Sequence, residues 1–344
     1  MAKKQRKNIK NIKAKKPKAT PKKAKKSKWL LAVVAILILA IAGIIAFGLI
    51  GDNSSSRSKK HHKRIEAAGN KSIHSCKRTP AFALKYGLKY NIAIDLRQGN
   101  EFRGLRLVDI KTGKSLRLPG WDSFGYLGLY TLDDKGNIYT SPVPYVSIDI
   151  NPPKEQNKIL IVDSKTGKMS EFMRLPSDNP PSPRNPFGVI GLAFDCETKS
   201  LYASSVAGSS FKNESGKVFQ IDPQHKKILS TFDNHDVLGL AIFRGKSGKR
   251  MYMGMARKPE VYSVGLKDDG SFDDDFRYEF SLKDVPGGAN LKAHRIKIKN
   301  GIMTLKAREF SYSLIAASNP MRTIYTFKYS PEKDIWEFVS LRAE

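Results

Sequence analysis

The sequence predicts an all-β fold, a β-propeller of five or six four-stranded blades, preceded by one transmembrane α-helix and a disordered basic tail. Three observations lead there. The run from Trp29 to Ile50 carries no charged residue. From about residue 71 the chain becomes a succession of short β-prone runs broken by Gly, Asn, Asp and Pro, with hardly any helical periodicity. These runs recur in groups of four roughly every 45–60 residues, the spacing of propeller blades.

Residues 1–28 hold 14 Lys or Arg, no Asp or Glu, and too little apolar material for a core, so a disordered cytoplasmic tail is expected. Its Lys/Ala/Pro composition resembles linker-histone tails, but a topology signal resting on anionic lipid headgroups is the simpler reading. Residues 29–50 would reach about 33 Å as a helix, enough for a hydrocarbon core of about 30 Å. The heavier basic flank precedes this segment, which places the N-terminus in the cytoplasm. The apolar run is long for a cleaved signal and Gly48–Asp52 offers no A-x-A-like site, so an uncleaved signal anchor is expected. Residues 51–70 form a Ser-rich, then basic, linker, and His61 and His62 within it read as solvated.

Charge, divided by segment, argues against a nucleic-acid partner. Of the formal +29, the tail holds +14, residues 51–64 hold +4, and the chain from Ile65 holds +11. An extracytoplasmic domain, 71–344, with that balance suits anionic surface polymers, lipid headgroups or acidic glycans. Its two cysteines, Cys76 and Cys196, either form a single bridge or remain buried thiols; the sequence leaves both open.

The repeat opens with a Gly-containing apolar strand: Y-L-G-L-Y-T-L-D at 126–133, V-I-G-L-A-F-D at 189–195 and V-L-G-L-A-I-F at 237–243. A strand carrying an aromatic follows, with Tyr139, Tyr202 or Tyr252 expected to pack between blades. The third and fourth strands flank a turn, as in L-V-D-I-K-T-G-K at 107–114 and I-V-D-S-K-T-G-K at 161–168. There Asp bonds its own backbone and Gly takes a positive φ, which makes Asp109, Asp163, Asp195 and Asp222 turn formers. Units are expected at 71–120, 121–180, 181–233, 234–283 and 284–344. The first is one strand short, so the two chain ends are expected to share a blade.

The segment G-L-A-F-D…L-Y-A-S-S…G-K-V-F-Q-I-D-P…K-I-L-S-T-F (191–232) resembles blades of NHL-repeat and gluconolactonase/strictosidine-synthase-like propellers, and L-V-D-I-K-T-G-K-S-L-R-L-P is similar to a royal-jelly/yellow blade. The resemblance implies architecture. Lactonase-type members hold a divalent cation such as calcium with acid and amide side chains from several blades; no such set can be placed here residue by residue.

Propeller sites form where the second-to-third and blade-to-blade loops converge. In those loops Trp121, Asp122, Tyr145, Arg184, His235, Asp236, Arg257, His294 and Arg295 are the chemically capable residues. Arg and His beside aromatics suit a protein, glycan or anionic ligand, and His235-Asp236 and His294-Arg295 are the pairs suited to acid–base work. No nucleophile elbow, phosphate loop, metal motif or RNA-binding signature occurs. The expected role is therefore a single-pass, membrane-anchored, extracytoplasmic binding module without a cofactor. The alternatives are a metal-dependent hydrolase and a nucleic-acid or lipid tether acting through the tail.

Overall fold

A computed structural model describes residues 73–97, 102–314 and 322–344. The chain divides into two units, 1–60 and 61–344, and every described residue belongs to the second. The expected tail, span and linker lie outside the described residues. Among the described ones, no helix is long and apolar enough to cross a membrane.

The strands of the second unit form five antiparallel sheets, each built from consecutive strands. Blade 1 holds β1 (Ile92–Asp95), β2 (Arg106–Asp109) and β3 (Ser115–Leu116). Blade 2 holds β4 (Leu127–Leu132), β5 (Ile138–Pro142), β6 (Lys158–Val162) and β7 (Met169–Arg174), and blade 3 holds β8 (Val189–Asp195), β9 (Ser200–Ser205), β10 (Lys217–Asp222) and β11 (Lys227–Asp233). Blade 4 holds β12 (Val237–Gly245), β13 (Gly248–Met255), β14 (Glu260–Leu266) and β15 (Phe272–Ser281). Blade 5 holds β16 (Lys292–Lys299), β17 (Ile302–Arg308), β18 (Thr323–Ser330) and β19 (Ile335–Ala343). This is a five-bladed propeller whose unit boundaries follow the sequence repeat.

The turns have the chemistry their residues dictate. Asp163 Oδ1 accepts the Lys165 and Thr166 N–H groups at 3.0 and 2.8 Å, and Gly167, at φ +74°, donates to Asp163 O. Asp109 repeats the arrangement with Lys111 and Thr112, both at 3.1 Å, and Gly113 at φ +72°. Asp195 and Asp222 close their own turns likewise. A carboxylate that satisfies its local backbone in this way terminates the hairpin and is not free for chemistry.

The first strands β4, β8, β12 and β16 adjoin one another in order and form the inner ring. Apolar side chains from facing sheets fill the seams, as where Ala241, Phe243 and Tyr252 meet Ile296, Ile298 and Met303 between blades 4 and 5. Tyr139, Tyr202 and Tyr252 are all buried in such seams, and the Tyr202 hydroxyl donates to Gly270 O of blade 4 at 2.6 Å. Backbones approach closely enough to require glycine: a Cβ on Gly254 would stand 2.1 Å from Ala293 O of blade 5.

The chain ends do not share a blade. Blade 5 supplies four strands of its own, and no C-terminal strand joins blade 1 among the described residues. Since β2 and β3 flank a D-x-K-T-G-K turn like the one that joins the third and fourth strands of blade 2, blade 1 has no innermost strand among the described residues. The preceding segment instead runs under the hairpin side of blades 2 and 3. Cys196 N donates to Ile73 O and Arg78 N to Asp133 O. The short helix α1 (Ala81–Lys85) begins where Phe82 N reaches Ser164 O. A Cys76–Cys196 disulfide, Cα–Cα 5.6 Å, fastens this segment to the turn after β8. Closing a loop of 120 residues stabilises the fold by about 4–5 kcal/mol in the chain-entropy account.

Candidate functional site

On the hairpin side an open groove of about 490 Å³ lies between blades 2 and 3. Its carboxylates are engaged locally. Asp133 accepts from the Lys135 and Asn137 backbone, the Asn137 amide and the Tyr139 hydroxyl, while Asp163 and Asp222 hold their turns. The groove presents turn chemistry and no convergent polar set.

The opposite, loop side is organised by a shared irregularity of the inner strands. Near its start each of β4, β8, β12 and β16 breaks register with its hairpin partner, at Leu127/Leu129, Val189/Gly191, Val237/Gly239 and Ala293/Arg295. The extra residues are Gly128, Ile190, Leu238 and His294. Bulges of this kind re-aim a side chain. Ile190 and Leu238 join Phe187, Val206 and Ala256, with Phe310 packed on them, in an apolar cap.

His294 is the polar member of the four. Its ring packs edge-on to Phe310 at 5.7 Å. Burial, then the neighbouring cations Arg308, Arg295 and Arg322, hold its pKa well below the ordinary value, against a hydrogen bond to the Glu309 backbone. The ring is therefore neutral near pH 7. Its Nε2 is buried without a hydrogen-bond partner among the described residues.

Around the cap runs a row of aromatic rings. Tyr145 lies 5.0 Å from Phe187, Phe187 5.2 Å from Phe310, Phe310 5.4 Å from Tyr312, and Tyr312 5.6 Å from Phe211. Arg308 stacks over Tyr145 at 4.3 Å and Arg257 over Tyr312 at 5.4 Å, which places a guanidinium near each end of the row. Tyr145 and Phe211 are 41% and 69% exposed, so the row reaches solvent, and Val146, Ile148 and Ile150 beside Tyr145 are exposed as well. Exposed apolar side chains grouped with cations are the surface type that proteins use for contact.

A buried node holds the Phe211 end in place. Asp236, fully buried, accepts from Gly216 N and Arg257 Nε at 3.0 Å each and from the Ser209 and Tyr312 hydroxyls. Arg257 also donates to the backbone oxygens of Ser210, Phe211 and Asn213 at 2.6, 3.2 and 2.5 Å. Burial, then the Asp236 charge, pushes the Tyr312 hydroxyl pKa far upward, so Tyr312 remains a donor. The Asp236 carboxylate is saturated by these bonds.

The expected residues thus fall into three groups. Tyr145, Asp236, Arg257 and His294 come together around the cap. Arg295 lies beside it, its guanidinium donating across the ring to Gly128 O of blade 2 at 2.5 Å. Four others stand elsewhere. Trp121 is buried between blades 1 and 2, its Nε1 donating to Gly167 O at 2.8 Å and its ring packed on Phe82, because a ring this large is worth more in the core than at a mouth. Asp122 is exposed at the start of a 3-10 turn, Asp122–Phe124, and Arg184 is exposed in the turn bridged by Ser182 and Asn185. His235 is stacked on Phe232 at 4.3 Å along the outer strands of blades 3 and 4, with Nδ1 on Asp233 O, so it does not act with Asp236 as a pair.

Phe187, Phe211, Arg308, Phe310 and Tyr312 were not singled out from the sequence. Phe211, Phe310 and Tyr312 nevertheless lie in the loops between the second and third strands of blades 3 and 5, and an aromatic in such a loop is the signal that points to them. Among the described residues no group of three or more His, Cys, Asp or Glu is placed to hold a metal ion.

No family model and no curated protein sequence matches the chain. Among solved structures, a protein of unknown function from Bacteroides caccae is similar over 73% of this chain and 73% of its own, at 8% identity and a TM-score of 0.37.

Proposed function

We propose that the chain is a single-pass membrane protein with a cytoplasmic N-terminus that displays its propeller outside the cytoplasm as a binding module. Its ligand is a protein, glycan or other anionic component of the envelope, taken on the loop face. The observation that carries this reading is the row from Tyr145 to Phe211 with Arg308 and Arg257 stacked near its ends. Aromatic faces take sugar rings or apolar side chains, and guanidinium groups take carboxylate or phosphate in bidentate fashion. The Cys76–Cys196 bridge supports an oxidising compartment, and the uncharged run 29–50 supports the anchor. Under this reading the tail rests on anionic headgroups of the inner leaflet.

The reading is tested by probing an array of oligosaccharides and peptides, acidic and neutral, with the full chain in detergent and with its Tyr145→Ala/Phe211→Ala variant. Binding to acidic members is expected, with a loss of roughly 30-fold in affinity in the variant, the scale of about 2 kcal/mol for removing an aromatic anchor. Equal binding by both proteins, or binding that ignores charge, sinks it.

A further inference from the structure

Among the described residues blade 1 has no inner strand, and the face of blade 5 that such a strand would cover is a second surface that the loop-face reading does not use. In blades 3 and 4 the residue after the inner-strand bulge is glycine, Gly191 and Gly239, because the next blade's inner strand lies against it. A Cβ on Gly191 would stand 2.7 Å from Leu238 O, and one on Gly239 3.0 Å from Ala293 O. In blade 5 that position is Arg295, and its side chain spans the gap to Gly128 O instead.

The alternation continues along β16. Ile296 and Ile298 turn into the blade 4 seam, while Arg295, Lys297 and Lys299 stand exposed on the other face. Registers place Lys306 across from Arg295, Lys328 across from Ile302, and Arg342 at the end of the Arg295–Lys306 row. The face that packs on a neighbour in blades 3 and 4 is here exposed and predominantly basic, with Glu337 opposite Lys328 but paired with Lys333. Among the described residues Lys297, Lys299 and Lys328 have no carboxylate within salt-bridge distance, and Lys306 has Glu344. Desolvation, and to a lesser extent Arg295 and Lys306, hold the Lys297 pKa down.

We infer that this open face of blade 5 binds a linear anionic polysaccharide. Same-face residues on a strand recur about every 6.8 Å, so Lys297 and Lys299, with Lys328 in the Lys299 row, set a line of cations suited to the anionic groups of a polymer. Between the cations stand the hydroxyls of Thr304, Thr326 and Ser340, which share the Lys297 row and suit sugar hydroxyls. No aromatic side chain lies in that row to stack bases, which disfavours single-stranded nucleic acid. The inference is independent of the loop-face reading, since it shares no tested residue with it.

The test is a titration of the full chain in detergent with polygalacturonate across a salt series, with dextran and single-stranded DNA as comparators. Lys297→Gln/Lys299→Gln/Lys328→Gln is compared with Lys135→Gln/Lys165→Gln/Lys227→Gln, which removes the same charge from exposed sites on the hairpin side. The blade 5 triple is expected to lose at least about tenfold in polygalacturonate affinity and to flatten the log–log salt slope by about 2, at roughly 0.7 per contact for a flexible strand. The control triple is expected to change both much less. Equal losses in the two triples, no loss in either, binding of dextran, or tighter binding of DNA overturns the inference.

Discussion

At the scale of single residues, the turn and buried aspartates of the propeller are committed to structure. Asp109, Asp163, Asp195 and Asp222 hold turns, and Asp236 holds Arg257 and two loops. His294 is different, a neutral ring with an unpartnered Nε2 under the aromatic row. Its folded pKa lies below the value near 6.5 of the unfolded chain, so on acidification the unfolded chain takes up a proton that the folded one does not. Stability is therefore lost as pH falls below about 6.5. His74, also depressed, by burial and then Lys77, adds to the same trend. His294→Gln is expected to reduce the pH dependence of the melting temperature between pH 7 and 5 without abolishing it. An unchanged profile would show that His294 titrates freely in the fold.

At the scale of elements, legibility followed periodicity. The turn residues of D-x-K-T-G-K, the Gly-containing first strands and the aromatic second strands are local signals, and the corresponding elements stand where those signals put them. Register bulges are set by contacts between blades, which is why the ring of Gly128, Ile190, Leu238 and His294 was not readable in advance. Trp121 and His235 stand away from the cap for the same reason: loop membership is local, but the partner that buries a ring is not. Close approach between blades gives a sharp test. Gly254→Ala forces a Cβ against Ala293 O of the next blade and is expected to cost about 3 kcal/mol. Gly113→Ala, at φ +72° in open space, is expected to cost only about 1 kcal/mol. Chemical denaturation of both variants orders them, and the reverse order would contradict the packing of blade 4 against blade 5.

At the scale of the whole molecule, five sheets in a ring, one of them short, give two unlike surfaces. The loop side gathers rings and guanidinium groups over an apolar cap, and blade 5 exposes a predominantly basic face where blade 1 has no inner strand among the described residues. The H-R-I-K-I-K alternation at 294–299 carried the second surface openly, since a strand buried on both faces would not alternate with charge. The loop side was legible only as a set of loops, because the order of its rings depends on which blades meet. The proposed membrane anchor rests on the sequence alone, on an uncharged run and its basic flank.

The central claim, that the loop side is the binding surface, is tested most directly by hydrogen–deuterium exchange of the full chain with and without an acidic oligosaccharide mixture. Protection is expected in 143–150, 207–215 and 309–314, the loops that carry Tyr145, Phe211, Phe310 and Tyr312. Protection confined to the hairpin turns at 133–137, 163–168 and 222–227, or none on the loop side at saturating ligand, would contradict it.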